Sequence, residues 1–463
     1  MNSLTGIENF RESLKGRLIS KEDVDYDKAR RVWNGRIDKH PLLIVQCADE
    51  NDVQNTVNFA RTNKIEAAIR GGGHNVGGLG TCDNGIVIDL SLMKKMEINT
   101  KLNSVWAQAG LTWGEFDKAT QKYGLATTGS LFSDTGIAGY TLSGGFGWLV
   151  RKYGLSVDNL LSAEVTLSDG RQIIASPTEN ADLFWGLRGG GGNFGIVTSF
   201  EYQLHPVGQI VFGGAIFYPM SKAKEILTFY REWTWAMPDE LTTMIAFITM
   251  PPEPFVPEKF IDTQMIAIGL CYTGSIDEAE KIVQPLREFS SESIDYLGPI
   301  PYTALQSMFD FSAPKGIHSY WETHHLLDMN NFSIDIILEH VSRIRLLSPY
   351  SAVHINHWEG AVKNKDSFET AFTHRATRFV LNIIGAWTEF DEPDQHINWV
   401  RRFSKTIKPL SIGQFYLNFL TDGGEEQIKA AFGRKNYNKL VMLKNKFDPQ
   451  NFFHINQNIL PTV

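Results

Sequence analysis

The chain has 463 residues, 43% of them apolar and 21% charged, the make-up of a soluble globular protein too long for one ordinary core, so two or three domains are expected. A net charge of -8 with no basic stripe argues against nucleic acid as a partner, and no uncharged apolar run reaches the ~18 residues of a membrane span. The charged N-terminus lacks the apolar core of a signal peptide and three scattered cysteines (Cys47, Cys82, Cys271) make no disulfide framework, so a cytoplasmic location without a membrane partner is expected.

Residues 1–34 carry a helical periodicity with a strongly charged face and read as a leading arm. Leu42 to Val45 is a short β-branched run. Asp49 then offers an N-cap to a helix whose Val53, Val57 and Ala60 share one face. Glu66 to Ile69 is the next strand, and it feeds straight into Arg70-Gly71-Gly72-Gly73-His74-Asn75-Val76-Gly77-Gly78-Leu79-Gly80. Six of these eleven residues are glycine, so successive N–H groups can line a concavity that holds pyrophosphate oxygens. One imidazole, His74, stands among them with nothing bulky between it and whatever the loop grips. A neutral ring nitrogen is a competent nucleophile.

Gly85 to Leu90 and Ser104 to Ala109 read as strands, the second leading into an amphipathic helix, Trp113 to Tyr123. A second glycine-rich segment, 135–147, precedes a strand at 163–168 and a hairpin turn at Asp169-Gly170. The third, 186–195, runs into an extended stretch at 196–204. Past Pro206 glycine thins out. Long strands at 210–218, 243–250, 264–272, 352–358 and 378–387, with amphipathic helices at 222–236 and 276–289, predict an antiparallel sheet covered by helices on one face. Phe415 to Leu420 reads as a strand, Glu425 opens a helix, and the end is rich in Asn and Gln.

Several chemistries drop out on motif grounds. Gly190-x-Gly192-x-x-Gly195 spells the dinucleotide fingerprint, yet an extended run follows it where a helix is required, and no acid lies ~20 positions on. No Gly-Lys dipeptide, HExxH, CxxC or G-x-S-x-G occurs. His354 and His357, three apart on a strand, point to opposite faces and cannot share an ion, so no metal is expected. Three glycine-rich loops plus a polar C-terminal cluster suit a long ligand with a pyrophosphate, an adenosine and a broad flat ring. Flavin adenine dinucleotide (FAD) fits that description.

The segments Arg70-Gly71-Gly72-Gly73-His74, Gly136-Ile137-Ala138-Gly139 with Ser143-Gly144-Gly145-Phe146-Gly147, Arg151 to Asn159, Asp182 to Thr198 and Phe447 to Asn458, in that order, resemble the berberine-bridge-enzyme-like FAD-linked oxidases of the vanillyl-alcohol-oxidase superfamily, with its PCMH-type FAD-binding domain. The resemblance implies an α+β, bipartite fold: a FAD-binding domain at 1–206, a substrate domain at 207–411 with an antiparallel sheet under helices, and a segment at 412–463 that completes the first. It implies a flavin bonded through its 8α-methyl group to His74. Some members add a second bond through a cysteine, but Phe132 stands at that position here, so a single linkage is expected. The residues that would hold the cofactor are Arg70, Gly71, Gly72, Gly73, His74, Asn75, Gly78, Thr135, Gly136, Gly139, Tyr140, Gly144, Gly145, Gly147, Gly192, Gly195, Val197, Asn456 and Asn458.

The same likeness implies a catalytic side chain on the strand before the C-terminal helix. Tyr416 and Asn418 are two apart and share a face there, with Tyr416 as a tyrosinate base. The glutamate of alkaloid-cyclising members corresponds to Asn418, which speaks against ring closure. Tyr320, Trp321, Glu359 and Trp387 are further pocket candidates. Thr135, implied to lie beside the flavin, leans by its small side chain towards dioxygen as electron acceptor. The expected function is oxidation of a small alcohol, sugar or amine, with a dehydrogenase or a flavin-retaining binding protein as alternatives.

Overall fold

A computed structural model describes residues 4–250, 252, 256–343, 347–413 and 415–463. It is a mixed α+β architecture with two principal cores. In the first, Leu43–Gln46, Ile86–Asp89 and Ala67–Arg70 run parallel in that spatial order, and Arg17–Ser20 adds an antiparallel edge. The intervening helix Glu50–Asn63 begins where the Asp49 side chain accepts the Asn51 and Asp52 N–H groups, and it stops at left-handed Lys64. The leading arm is broken into short pieces, Ile7–Glu12, Arg17–Ser20 and Tyr26–Arg30, where sequence periodicity predicts one helix. Its middle piece is captured as an edge strand by Leu43–Gln46, a non-local pairing that local periodicity does not report.

A five-stranded antiparallel sheet follows, ordered Met96–Asn99, Ser104–Gln108, Ile196–Gln203, Leu160–Thr166, Gln172–Ala175. The turn joining the last pair places Gly170 at φ 85, a conformation that favours glycine. The helix Trp113–Thr120 starts with a capping box between Thr112 and Glu115.

The second core is an eight-stranded antiparallel sheet. Side chains alternate across it: Ile245, Phe247, Val353, Ile355, Leu381 and Ile383 meet the helices Ala223–Trp233, Ile276–Glu288, Asn331–Val341 and Pro393–Ile407. Met244, Ala246, Ala267 and Val380 turn the other way and pack against Phe146, Trp148 and Tyr416. That second face closes over the glycine loops. Strand His318–Leu326 and the last two of those helices go unannounced in the sequence reading. The strand is buried on both faces, so its letters do not alternate.

Phe415 to Leu420 is not a strand. Leu417–Phe419 forms a 3-10 turn, closed by the Phe419 N–H to Tyr416 carbonyl bond at 2.9 Å. Asn418 Nδ2 holds it there, donating to the Tyr140 carbonyl and to Tyr416 Oη at 3.0 Å each. Among the described residues no strand pairs with this segment, so polar side chains and not a ladder fix it. Gln414 lies outside the described residues. Among the described residues no helix is long and apolar enough to cross a membrane.

Candidate active site

A cleft between the two cores is walled on one side by residues 70–76, 130–146 and 192–197, and on the other by Trp321, His354, Asn356, Asn382, Asn418 and Phe419. The strand Ala67–Arg70 delivers the glycine loop to it. Arg70 pairs in register with Asp89 and donates to its carboxylate at 2.8 Å, with both side chains buried. The Asn75 side chain then accepts the Gly77 and Leu79 N–H groups, which fixes the turn that follows.

His74 is held from two sides. Its Nε2 lies 3.0 Å from Asp134 Oδ1, and its ring stacks on Trp33 with centroids 4.5 Å apart and planes at 21°. Trp33 is anchored by its own N–H to the Gly73 carbonyl and by Nε1 to the Ala313 carbonyl. The His74 side chain remains 14% exposed, so it faces open space and not core.

Gly72 and Gly136 meet back to back. A Cβ on Gly72 would lie 2.5 Å from the Gly136 nitrogen, and one on Gly136 would lie 2.3 Å from the Gly72 nitrogen. The two loops therefore touch only because both lack side chains. At Gly139 and Gly192 the opposite holds: a Cβ would enter open cleft with nothing within 4 Å.

Of the residues singled out in the sequence, Arg70, Gly71, Gly72, Gly73, His74, Asn75, Thr135, Gly136, Gly139, Tyr140, Gly192, Gly195, Val197, Asn418 and Asn456 line the cleft. Gly78, Gly144, Gly145, Gly147, Asn458 and Tyr416 do not line it. Gly78, at φ 71, packs on Ile37. Gly144 abuts Phe372 and Tyr416, Gly145 abuts Ser156, and a Cβ on Gly147 would collide with the Gly129 carbonyl at 1.9 Å. These glycines shape the loop from behind.

Tyr416 is fully buried behind the wall. Its Oη accepts from the Gly145 N–H and from Asn418 Nδ2, both at 3.0 Å, and burial pushes its pKa upward. Burial therefore disfavours a tyrosinate at this position, and the Tyr416 hydroxyl serves as a hydrogen-bond partner of Asn418. Of the other pocket candidates only Trp321 reaches the cleft. Tyr320 and Trp387 belong to the helix-covered core, and Glu359 ties His357 to Arg378. Sequence reasoning passed over Asp134, Trp33, Asn356 and Asn382, and it read His354 as a core or rim histidine. The polar letters at His354 and Asn356, two apart in an apolar strand, were a usable signal that this face meets something polar.

A sequence profile described as FAD binding domain matches residues 41–176, and one described as berberine and berberine like matches residues 415–460. An FAD-linked oxidoreductase of Dictyostelium discoideum is 30% identical over 462 residues, covering 98% of this chain and 97% of its own. The chain belongs to the FAD-linked oxidoreductases. (R)-6-hydroxynicotine oxidase of Paenarthrobacter nicotinovorans is 27% identical over 457 residues, with 97% of each chain covered. The crystal structure of 6-hydroxy-D-nicotine oxidase from Arthrobacter nicotinovorans superposes with a TM-score of 0.87 at 26% identity, covering 96% of this chain and 98% of that one. A chitooligosaccharide oxidase shares the fold, with a TM-score of 0.86 at 21% identity over 99% and 100% of the two chains.

The walls of this oxidoreductase fit FAD. Arg70 Nη1 and Asn456 Oδ1, on residues that line the cleft, are buried without a hydrogen-bond partner among the described residues, a costly state unless a polar ligand completes them. Beside them the glycine walls at 139 and 192 leave a cradle that any side chain would fill. None of the cysteines lines the cleft; Cys47, Cys82 and Cys271 are buried elsewhere as free thiols.

Proposed function

We propose that this chain is an oxidase whose FAD is bonded through His74, with a small organic molecule as substrate and dioxygen as electron acceptor. The observation that carries the reading is the doubly held imidazole on the cleft wall. With Nε2 against the Asp134 carboxylate, the ring proton sits on Nε2 and the lone pair sits on Nδ1. The Trp33 stack keeps that nitrogen from turning away. Nδ1 would then be the atom that holds the 8α-methyl carbon, and dioxygen would take the two electrons and two protons released as that bond forms. Phe132, on the same wall, offers no second nucleophile.

Bound FAD supplies the hydride acceptor. The substrate loses that hydride and a proton, C–OH becoming C=O or C–NH becoming C=N, and dioxygen takes up both electrons and two protons as hydrogen peroxide. Asn418 has its amide protons committed to Tyr140 and Tyr416, so its carbonyl oxygen is left to accept from the substrate. Thr135, small and joined to Ser130 by a 3.2 Å hydroxyl contact, keeps the wall low where dioxygen would approach. Residues 1–206 with 412–463 form the cofactor-holding unit in this reading, and 207–411 covers the ring.

Anaerobic mixing with alcohols, sugars and amines is the test. Bleaching of the visible flavin absorbance by one of them, with rapid return of colour in air, is expected. Bleaching without recovery in air would replace dioxygen with another acceptor, and no bleaching by any compound would favour a flavin-retaining binding protein. Asp134→Asn removes the charge that holds the Nε2 proton. Covalent incorporation of flavin is expected to slow by roughly 10²-fold, the lower end of what a positioned proton acceptor contributes. Flavin fluorescence of the protein band in a denaturing gel, followed in time after adding FAD to apoprotein, measures it.

A further inference from the structure

Behind the flavin cleft lies a second cavity of about 580 Å³ that opens to solvent. It shares three wall residues with the cleft, Phe132, Trp321 and His354, so the two spaces are adjoining rooms. Strand alternation explains its lining. On the sheet face turned away from the helices, Ala246, Ile248, Ala352, Ile384 and Ala386 form an apolar floor. Phe217, Met308, Phe309 and Tyr350 close it with ring and thioether surface.

Charge is nearly absent from this room. Asp262 is the one ionisable carboxylate or cationic side chain among its described lining residues, and it is exposed. A charged ligand would have no counter-ion inside, and a polyol would exchange water for the scattered hydroxyls of Thr249, Ser312, Ser319 and Ser351, two of which (Ser312 and Ser351) already donate to backbone carbonyls. The shared wall carries His354, and Asn382 and Asn356 line the flavin cleft just beyond it. His354 and Asn382 face each other across two paired strands, with Asn356 two residues on. Asn382 is 2% exposed, and its Oδ1 has no hydrogen-bond partner among the described residues. Burial depresses the His354 pKa to about 4, so the ring is neutral at ordinary pH and presents one N–H donor and one acceptor. An acceptor-only oxygen beside an N–H donor matches a hydroxyl, which gives one hydrogen bond and takes another.

We propose that this cavity is the substrate chamber, and that it takes an uncharged, ring-bearing apolar alcohol whose hydroxyl is held between His354 and Asn382 at the entrance to the flavin cleft. The proposal rests on the oxidase reading for its chemistry, but its test reads binding alone, so the two fail separately.

Isothermal titration of the flavin-loaded protein with 4-methylbenzyl alcohol, 4-methylbenzylamine, 4-methylbenzoate, p-xylene and cellobiose measures the preference. The alcohol is expected to bind at least ~10-fold tighter than the cation, the anion and the disaccharide, a difference of about 1.4 kcal/mol. Ile384→Trp, which fills the floor, is expected to weaken the alcohol at least ~10-fold while flavin content stays unchanged. Asn382→Leu is expected to weaken the alcohol ~10-fold and leave p-xylene within ~2-fold, because only the hydroxyl loses a partner. Equal or tighter binding of cellobiose or of either ion overturns the proposal. So does an alcohol affinity that Asn382→Leu leaves intact, a result that stands even if Ile384→Trp misfolds. Selective binding of the alcohol with no bleaching of the flavin would leave the chamber in place and remove the oxidase reading.

Discussion

His74→Ala is expected to release the flavin into the supernatant when the purified protein is precipitated with acid, and the parent protein is expected to keep its yellow colour in the pellet. The covalently held fraction is expected to fall from most of the protein to none, because His354, the other imidazole among the described cleft-wall residues, stands on the wall opposite the glycine loop. Phe132 is inert, and the buried thiols of Cys47, Cys82 and Cys271 lie away from the wall, with burial raising the pKa of each. The substitution costs little in folding. The side chain is part-exposed, and its losses are one ring stack on Trp33 and one contact to Asp134, itself about half exposed. FAD is then expected to bind non-covalently in the same cradle, and the orphan atoms of Arg70 and Asn456 keep their use for it. Colour that stays in the His74→Ala pellet would place the bond on another residue.

The second large effect is on stability. Lys444→Ala is expected to lower the unfolding free energy by roughly 3–5 kcal/mol, the range found when one partner of a buried ion pair is removed. Both side chains are fully buried, with Lys444 Nζ donating to Asp448 at 2.7 Å and to the Asn193 and Phe453 carbonyls at 2.9 Å each. Three donors meet three acceptors, and burial alone would push the lysine towards its neutral form. Without the ammonium, the buried Asp448 carboxyl and two backbone carbonyls lose their partner. Asn193 belongs to the third glycine-rich loop, next to Gly192 on the cleft wall, so the same change is expected to loosen cofactor retention. Lys444→Met keeps the stem and tests whether charge or packing is responsible. The shift of the denaturant midpoint reads both variants, and a loss under ~1 kcal/mol in each would show that this cluster does not tie the C-terminal helix to the loop.

Five strands of the helix-covered sheet and two of its helices, at 222–236 and 276–289, were legible because those strands are long and those helices amphipathic, and such periods are local properties of the letters. The strand His318–Leu326 was not, since burial on both faces removes the alternation that marks a strand. The segment at 415–420 misled for a related reason. Its apolar and polar letters alternate as a strand's would, yet the alternation serves packing between the two cores, and two side-chain hydrogen bonds from Asn418 bend it into a turn.

By itself the sequence determined that this protein has three glycine-rich loops between residues 70 and 195, an imidazole inside the first of them, and no motif for metal, phosphate-loop or serine chemistry. Those features are local, so adjacency along the chain is enough to express them. Only the tertiary structure decided that Asp134 and Trp33 would hold His74, that Tyr416 would be sealed behind the wall while Asn418 stands on it, and that His354 and Asn382 would meet at the junction of two cavities. Alternation along a strand tells which face a side chain takes, but what lies opposite that face is set by packing between residues tens to hundreds of positions apart.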